Sequence, residues 1–258
     1  MAALLEIENL SRYFGGLAAV DDVSFSVNEG EIAGLIGPNG SGKTTCFNVI
    51  TGYLKRTSGN VRFAGESISR RRPDEICRRG LVRTFQISSV FPDISVRSNV
   101  LTALHPQLRA GLLAGVFGLG QTRAEEHQAR ERVEELLEFV NLTHRADSRA
   151  SVLGMGEQRR LMIAAALATG PRMLMLDEPS AGMDDDERAH LMDLIRKVRD
   201  SGTTVLVVEH HMRLIMNLCD RVFALNFGKK IAEGTPAEIQ NHEQVLEAYL
   251  GVEGKKGA

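Results

Sequence analysis

The sequence predicts an α/β protein with a parallel-sheet core and an α-helical insert. Three observations support this fold class. Strand and helix patterns alternate in the last third of the 258 residues, and strand patterns dominate the first third. The middle carries helical periodicity with little strand signal. Because alternating strands and helices are typical of parallel sheets, we expect a core formed by 1–86 and 171–258 and a helical insert formed by 87–170.

The first third contains several predicted strands. Residues 4–10 and 20–27 alternate apolar and polar side chains, as half-buried strands do, and a shorter run at 61–63 has the same character. An apolar run at 31–36 ends in a glycine-rich loop, and a helix is expected over 43–51. This segment therefore predicts the first strand–loop–helix unit of the core.

The middle and the last third differ in their periodicity. In residues 124–140 the apolar side chains follow the i, i+3, i+4, i+7 spacing of an amphipathic helix, at Val133, Leu136, Leu137 and Val140. The last third predicts strands at 173–176, 203–208 and 222–225 and helices at 184–199 and 211–218. Residues 235–238 form a capping-box pattern with proline at the first helical position, so a short helix is expected there.

Composition is typical of a soluble globular protein. The chain is 43% hydrophobic and 25% charged, with a formal net charge of -2. It lacks the overall basic excess of a nucleic-acid-binding protein, so no nucleic-acid partner is expected. A local basic run is interpreted as a solvated face, with contact to a partner or to lipid headgroups as the alternative. Its members are Arg70, Arg71, Arg72, Arg78 and Arg79.

The cysteines and the N-terminus indicate an intracellular chain. Cys46, Cys77 and Cys219 are odd in number and widely spaced, which is typical of reduced thiols. The N-terminus has acidic residues where a signal peptide has a basic region and a long apolar run. The apolar stretch 111–120 is far shorter than the roughly 20 residues that a spanning helix needs. Any work at a membrane is therefore expected from outside the bilayer.

Residues 37–44 match the pattern GxxxxGK[ST], between a predicted strand and a predicted helix. A glycine-rich turn in this context aims backbone N–H groups at phosphate oxygens, and the helix N-terminus adds its dipole. We expect Lys43 between the β- and γ-phosphates and the Thr44 hydroxyl on magnesium. The predicted nucleotide-binding residues of this loop are Asn39, Gly40, Ser41, Gly42, Lys43, Thr44 and Thr45.

A second candidate element is the apolar run that ends in two adjacent carboxylates, Asp177 and Glu178. A buried strand that delivers acids at its carboxyl end places them at the edge of the sheet where open α/β folds bind ligands. Asp177 is expected in the magnesium shell. Glu178 is expected to orient or deprotonate the attacking water, as a base does in phosphoryl transfer.

These motifs, with three further ones in the same order, resemble those of ABC-transporter ATPases over nearly the whole chain. The further motifs are RTFQ at 83–86, similar to the family's Q-loop, SAGMD at 180–184, similar to its D-loop, and VEH at 208–210, similar to its H-switch. The resemblance implies a P-loop NTPase of ABC type with a parallel-sheet RecA-like core, an N-terminal antiparallel β subdomain and a helical signature subdomain at 87–170. It also implies ATP and Mg²⁺ as cofactors.

The same resemblance implies roles for individual residues. Gln86 would reach the magnesium and the attacking water while relaying motion to the helical insert. His210 would contact the γ-phosphate, and Asp184 would belong to the nucleotide-binding set. An aromatic residue near the N-terminus would offer a flat face to the adenine. The register favours Phe14 for this contact, with Tyr13 as its competitor.

The family's signature segment, close to LSGGQ, corresponds to LGMGEQ at 153–158. Gly154 replaces the serine whose hydroxyl would help bind the γ-phosphate of the opposite protomer. Gly156 and the following helix N-terminus retain the backbone donors. The missing hydrogen bond to a charged group is worth about 1.5–3 kcal/mol, so we expect weaker engagement between protomers. A second departure is His211, where relatives usually carry Asp.

Three segments, 82–86, 105–123 and 233–251, look like the longer ATP-binding subunit of branched-chain amino-acid importers. That resemblance implies two transmembrane permease subunits, a second ATP-binding subunit (paralogue or self) in a head-to-tail dimer and, indirectly, an external solute-binding protein. It places the chain peripherally at the cytoplasmic face of the inner membrane. The lipopolysaccharide-export ATPase is also similar, so solute and direction of transport stay open. The alternatives are a soluble ABC ATPase without a permease and a non-hydrolysing regulatory subunit.

Overall fold

The computed structural model describes residues 2–84, 90–104 and 120–253, except the side chains of 120–126 and 250–253. The chain divides into two compact units. The first comprises Met1–Arg83, Arg172–Ala181 and Arg188–Ala258, and the second comprises Thr84–Pro171 and Gly182–Glu187. The predicted boundaries lay at 86 and 171. The segment Gly182–Glu187, which the sequence interpretation assigned to the core, belongs to the second unit.

The strands of the described residues form two sheets. In chain order they are β1 (Ala3–Phe14), β2 (Leu17–Asn28), β3 (Ile32–Ile36), β4 (Ser58–Phe63), β5 (Glu66–Ser67), β6 (Leu81–Thr84), β7 (Met173–Asp177), β8 (Thr204–Val208), β9 (Arg221–Asn226) and β10 (Lys229–Gly234). The smaller sheet has the order β2-β1-β4-β5 and is antiparallel throughout. This arrangement confirms the predicted N-terminal antiparallel β subdomain.

The larger sheet has the order β10-β9-β3-β8-β7-β6. The adjacent strands β9, β3, β8 and β7 run parallel to one another, and β10 adds an antiparallel edge. Every residue of β3, β7 and β8 is buried. Strands covered on both faces read as continuous apolar runs rather than as alternating ones, which is why the sequence showed them as short apolar blocks. The predicted parallel-sheet core is confirmed.

The helices in chain order are α1 (Lys43–Ile50), α2 (Pro73–Arg78), α3 (Val96–Leu104), α4 (Gly120–Phe139), α5 (Met155–Ala168), α6 (Asp185–Asp200), α7 (Met212–Leu218), α8 (Pro236–Gln240) and α9 (Glu243–Glu253). In the second unit, α4 and the residue just beyond it bury the predicted apolar stripe of Val133, Leu136, Leu137 and Val140. Within the described ranges, no helix combines the length and apolar character that crossing a bilayer requires.

The two sheets share a hydrophobic core in the first unit. Buried apolar side chains from β1, β2 and β4 pack with those of α1, β3 and β7–β9. The rings of Phe25 on β2 and Phe223 on β9 stack with their centroids 4.5 Å apart. The Phe47 side chain of α1 is fully buried in the same core. Packing of this kind fixes the start of α1, and therefore the loop that precedes it, relative to both sheets.

Several short elements carry no clear sequence signal. Strand β6 has four residues and contains Arg83, so the sequence interpretation assigned it to the Q-loop. Helix α2 lies within the basic run, where Arg72 and Arg78 pair with Asp74 on the solvent-exposed surface. Exposed pairs of this kind add little stability. Their exposure is consistent with the interpretation of the basic run as a solvated face.

The N-terminus of α8 offers a local test of this fold. The Thr235 N–H donates to Glu238 Oε2 at 2.7 Å, and the Thr235 Oγ1 accepts from the Glu238 N–H at 3.4 Å. The hydrogen bond from the Thr235 backbone, followed by that from its side chain, lowers the pKa of Glu238. We expect Thr235→Ala to lower the free energy of unfolding by about 1 kcal/mol because a helix cap is lost. Urea denaturation measures this change.

Thr235→Ser is the control for that variant, because serine keeps the accepting oxygen. It should unfold within about 0.5 kcal/mol of the wild type. An equal loss for alanine and serine would show that the cap does not stabilise α8.

Candidate functional site

The loop between β3 and α1 requires glycine at two positions. At Gly37 (φ +153°) an added Cβ would lie 2.2 Å from the Leu225 carbonyl oxygen. At Gly42 (φ +103°), directly before α1, it would lie 2.3 Å from the Ala19 carbonyl oxygen. Both contacts are with backbone atoms, which cannot rotate away as a side chain does. The neighbouring strands therefore hold the loop in a conformation that larger residues cannot adopt.

The Lys43 ammonium group is held against this loop. Its Nζ donates to the carbonyl oxygens of Gly37 at 2.7 Å and Pro38 at 3.1 Å, and the residue is 6% exposed. Burial lowers the pKa of Lys43, while the nearby carboxylates of Glu178 and Asp177 oppose this effect. A buried cation at the start of a helix is well placed to bind an anion.

The loop borders a cavity of about 570 Å³, within the usual range for small-molecule sites. The predicted site residues that line it are Phe14, Asn39, Gly40, Ser41, Gly42, Lys43, Thr44, Thr45 and Glu178. Tyr13 does not line it, and its hydroxyl donates to Asp21 Oδ1 at 2.8 Å. The geometry thus favours Phe14 over Tyr13. The Arg12 guanidinium lies 4.4 Å from the centroid of the Phe14 ring, a cation–π distance.

Strand β7 ends in the two predicted carboxylates. Glu178 has φ +44°, and its N–H donates to the Val208 carbonyl oxygen at the end of β8 at 2.9 Å. A non-glycine residue in this region of φ/ψ space is strained, and such strain persists where surrounding contacts enforce it. The turn places the Glu178 side chain in the cavity.

Asp177 forms a buried ion pair with a residue that sequence reasoning missed. Arg83 Nη2 lies 2.6 Å from Asp177 Oδ2, and both side chains are 6% exposed. Arg83 Nη1 also donates to Asn48 Oδ1 on α1 at 2.7 Å. Bonds of this length between charged groups are strong. The only signal in the sequence was an arginine inside a short, otherwise apolar segment.

A second missed residue is Glu209, which follows β8 and is fully buried. Its Oε1 accepts from the Ser180 N–H at 2.9 Å, and its Oε2 accepts from the His210 N–H at 3.1 Å. Backbone donors satisfy this carboxylate in place of a cation. His210 Nδ1 lies 3.7 Å from Glu178 Oε1. The buried Glu209 carboxylate thus connects the turn after β7, through Ser180, to the predicted switch histidine, His210.

Four further predicted site residues are Gln86, Gly154, Gly156 and Asp184. Gln86 falls outside the described residues. Gly154, Gly156 and Asp184 belong to the second unit. There the Gly154 N–H donates to Glu157 Oε2 at 3.1 Å, at the N-terminus of α5. The nucleotide contacts of these four residues stay predictions.

Two of these residues have local structural roles in the second unit. The Asp184 Oδ1 accepts from the Glu187 N–H at 2.8 Å, so Asp184 caps α6. A Cβ at Gly156 would lie 2.8 Å from Glu187 Oε1, so the first turn of α5 packs closely on the same glutamate. Partial burial raises the pKa of Glu157, but hydrogen bonds from Arg145 and the Gly154 N–H leave it below its ordinary value.

This site defines a P-loop nucleotide-binding protein. A glycine loop connects a buried strand to a helix, a lysine is held against the loop, and two carboxylates stand at the end of a parallel strand. The family model described as ABC transporter matches residues 20–181. The chain belongs to the ABC transporter family, which confirms the family predicted from the motifs, and it is an ATP-binding and ATP-hydrolysing subunit. A model described as branched-chain amino acid ATP-binding cassette transporter matches residues 229–255.

Curated relatives match along nearly the whole chain. The high-affinity branched-chain amino acid transport ATP-binding protein BraF of Pseudomonas aeruginosa is 43% identical over 96% of this chain and 98% of its own length. LivG of Escherichia coli K12, with the same description, is 41% identical over the same shares. The lipopolysaccharide export system ATP-binding protein LptB of Escherichia coli K12 is 38% identical, again over 96% and 98%.

Solved structures agree with this assignment. The ADP conformation of MJ1267, an ATP-binding cassette of an ABC transporter, aligns with a TM-score of 0.85 and 34% identity, over 97% of this chain and all of that one (100%). A dimeric post-hydrolysis state of the cassette MJ0796, bound to ADP and Pi, aligns with a TM-score of 0.74 and 26% identity, over 90% and 98%.

The buried pair of Arg83 and Asp177 predicts a large loss of stability when one partner is removed. We expect Arg83→Met to lower the free energy of unfolding by about 3 kcal/mol, because Asp177 is left buried without its cation. The double variant Arg83→Met/Asp177→Asn should recover much of that loss. Chemical denaturation of the nucleotide-free protein measures both changes.

Arg72→Met is the matched control. Arg72 also pairs with an aspartate, but its side chain is 73% exposed, so its loss should stay within about 0.5 kcal/mol. Equal effects of the two single variants, or simple additivity in the double variant, would contradict the buried-pair interpretation.

Proposed function

We propose that this chain is the ATP-hydrolysing subunit of an importer for branched-chain or related amino acids. The observation that carries the proposal is the likeness to BraF along nearly the whole chain, together with the family match at 229–255. LptB, which serves lipopolysaccharide export, is a less similar relative. Export is therefore the alternative outcome that the experiment on partners must distinguish.

In this proposal the cavity binds ATP. The N–H groups of the glycine loop and the start of α1 contact the phosphates, as they do at other helix N-termini. Lys43 supplies the positive charge between the β- and γ-phosphates. Phe14 offers a ring face to the adenine, since it lines the same cavity as the loop. The charged end and the aromatic side of the cavity thus match the two ends of the nucleotide.

The oxygen donors of the site fit Mg²⁺. The Thr44 hydroxyl and the Asp177 carboxylate would hold the ion, which binds hard oxygen ligands and usually keeps phosphate and water oxygens in its shell. Among the described residues no group of three or more His, Cys, Asp or Glu side chains could hold a metal. Bound magnesium would neutralise charge on the β- and γ-phosphate oxygens.

Hydrolysis would rest on three residues around the γ-phosphate. Glu178 would orient or deprotonate the attacking water, and it shares the cavity with the loop. His210, near Glu178 through its Nδ1, would contact the γ-phosphate. Gln86 would reach the ion and the water. Positioning and electrostatic stabilisation are the main demands of phosphoryl transfer, and these residues meet them from different parts of the chain.

The proposed assembly is a head-to-tail dimer that sandwiches two ATP molecules. Gly154 and Gly156 of one protomer and its Asp184 would contact the nucleotide of the other, whether that protomer is a paralogue or a second copy. The MJ0796 structure, a dimeric post-hydrolysis state bound to ADP and Pi, supports the formation of a dimer. Two transmembrane permeases and, indirectly, an external solute-binding protein would complete the transporter, with this chain peripheral at the cytoplasmic face of the membrane. Closure on ATP would be a population shift.

Glu178→Gln tests hydrolysis. We expect the variant to bind ATP normally but to lose at least about 100-fold in turnover, because the base is replaced by a neutral amide. ATP should then accumulate in a stable dimer, measured by gel filtration with bound-nucleotide analysis. Equal trapping of ATP by the wild type would favour a non-hydrolysing regulatory subunit.

Gly154→Ser tests the departure in the signature segment. An added Cβ at Gly154 meets no atom within 4 Å, so serine fits without rearrangement. Its hydroxyl would add a hydrogen bond to the partner's γ-phosphate, typically worth about 1.5–3 kcal/mol. We expect ATP-driven dimerisation to tighten roughly tenfold or more, measured by sedimentation. Unchanged dimerisation and turnover would contradict the proposed trans contact.

Affinity purification from detergent-solubilised native membranes, followed by mass spectrometry, tests the assembly. Two permeases and a second ATP-binding protein are expected. Reconstitution of that complex with its external binding protein should then show ATP-dependent uptake of branched-chain amino acids. Recovery of lipopolysaccharide-export components would favour the export alternative, and recovery of soluble partners alone would contradict a transporter role.

A further inference from the structure

The turn between β9 and β10 places an aromatic side chain in an unfavourable position. Phe227 and Gly228 have φ values of +45° and +79°, as in a two-residue hairpin turn of type I′. That turn prefers Asn, Asp or Gly at its first position, and a bulky residue there is a conformational outlier. Phe227 is also 84% exposed. Neither the backbone nor the burial of apolar surface explains a phenylalanine here.

The turn is fixed to the nucleotide site through its backbone. The Gly228 N–H donates to the Ser41 carbonyl oxygen at 3.0 Å, and the Gly228 carbonyl oxygen accepts from the Asp21 N–H at 2.8 Å. A Cβ at Gly228 would lie 2.9 Å from the Ala18 carbonyl oxygen. The backbone of the turn therefore lies directly on the glycine loop and on β2.

Phe227 lines the same cavity as Phe14 and the glycine loop. Phe14 is itself 42% exposed, and the Arg12 guanidinium stacks on its ring. The cavity thus has two accessible aromatic rings from different parts of the chain, together with the phosphate-binding loop. Any nucleobase can stack on such a ring, because every base has a π-face.

We propose that Phe227 is a nucleotide-binding residue that contacts the base of the nucleotide held by the glycine loop, in addition to Phe14. The proposal rests on the proposed function and extends it to a residue outside the motifs. The occupant is a base rather than a protein segment because the cavity is continuous with the phosphate site. The strained turn keeps its phenylalanine for this contact.

Phe227 also lines an adjoining cleft of about 670 Å³, where it could contact a ligand other than the nucleotide. The cleft is lined by Phe227, loop residues and the α9 residues Gln244, Glu247 and Ala248. If the ring served that cleft alone, its removal would leave nucleotide affinity unchanged. Nucleotide affinity therefore separates the two uses.

We expect Phe227→Asn to raise the thermal stability of the protein and to lower its affinity for ATP. Asparagine suits the first position of a type I′ turn, so we expect the melting temperature of the nucleotide-free variant to rise by about 2–4 °C. The affinity for ATP, measured by calorimetry in EDTA to prevent turnover, should fall roughly tenfold because the stacking contact is lost. The affinity for tripolyphosphate, which has no base, should not change.

Two further variants complete the design. Phe227→Tyr keeps the ring and should keep ATP affinity. Leu246→Asn removes another exposed apolar side chain, on α9 and outside the lining of both clefts, and should leave both affinities unchanged.

Wild-type affinity of Phe227→Asn for ATP, or an equal loss for ATP and tripolyphosphate, would overturn the base contact. Failure of the wild type to bind either ligand would overturn the proposed function as well. The two failures are therefore distinguishable.

Discussion

Strands β3, β8 and β7 are buried along their whole length, and the polar parts of the chain can emerge only where these strands end. Their carboxyl ends meet at one edge of the sheet, as the parallel order requires. The glycine loop follows β3, the carboxylate pair closes β7 and Glu209 and His210 follow β8. The apolar interior of the sheet thus concentrates the polar chemistry in one place, and the rest of the site depends on that constraint.

Burial also determines how the charges of the site are arranged. A buried charge needs a partner or several hydrogen bonds, and the site uses both solutions. Asp177 is paired with Arg83, while Glu209 is held by backbone N–H groups. Lys43 is held by carbonyl oxygens of the loop that it serves. Contacts within the protein therefore hold each group in place, which is the condition for electrostatic stabilisation of a transition state.

Residues at strand ends were predictable from the sequence, and residues whose role depends on distant neighbours were not. Lys43, Asp177 and Glu178 stand in local patterns that imply their chemistry. Arg83 acquires its role only because β6 lies beside β7 at the edge of the sheet, and Phe227 only because its turn reaches the glycine loop.

The same distinction applies to the architecture. The apolar blocks of β3, β7 and β8 were visible in the sequence, whereas four-residue β6 and six-residue α2 were too short to show a period. The sequence register favoured Phe14 over Tyr13, and the cavity separates the two rings structurally, although they are about equally exposed, at 42% and 40%. A sequence pattern specifies which groups the chain carries, while tertiary packing decides which of two adjacent rings faces a ligand.

The chain leaves the first unit after Arg83 and again after Ala181, and both exits are anchored beside the nucleotide site. Arg83 is tied to the Asp177 carboxylate, and Ser180, next to the second exit, is tied to Glu209. In mechanical terms, these exits are two of the four covalent connections between the units, and each is held at its start by a buried carboxylate. A displacement of either carboxylate would therefore be transmitted to the chain at one of these two exits.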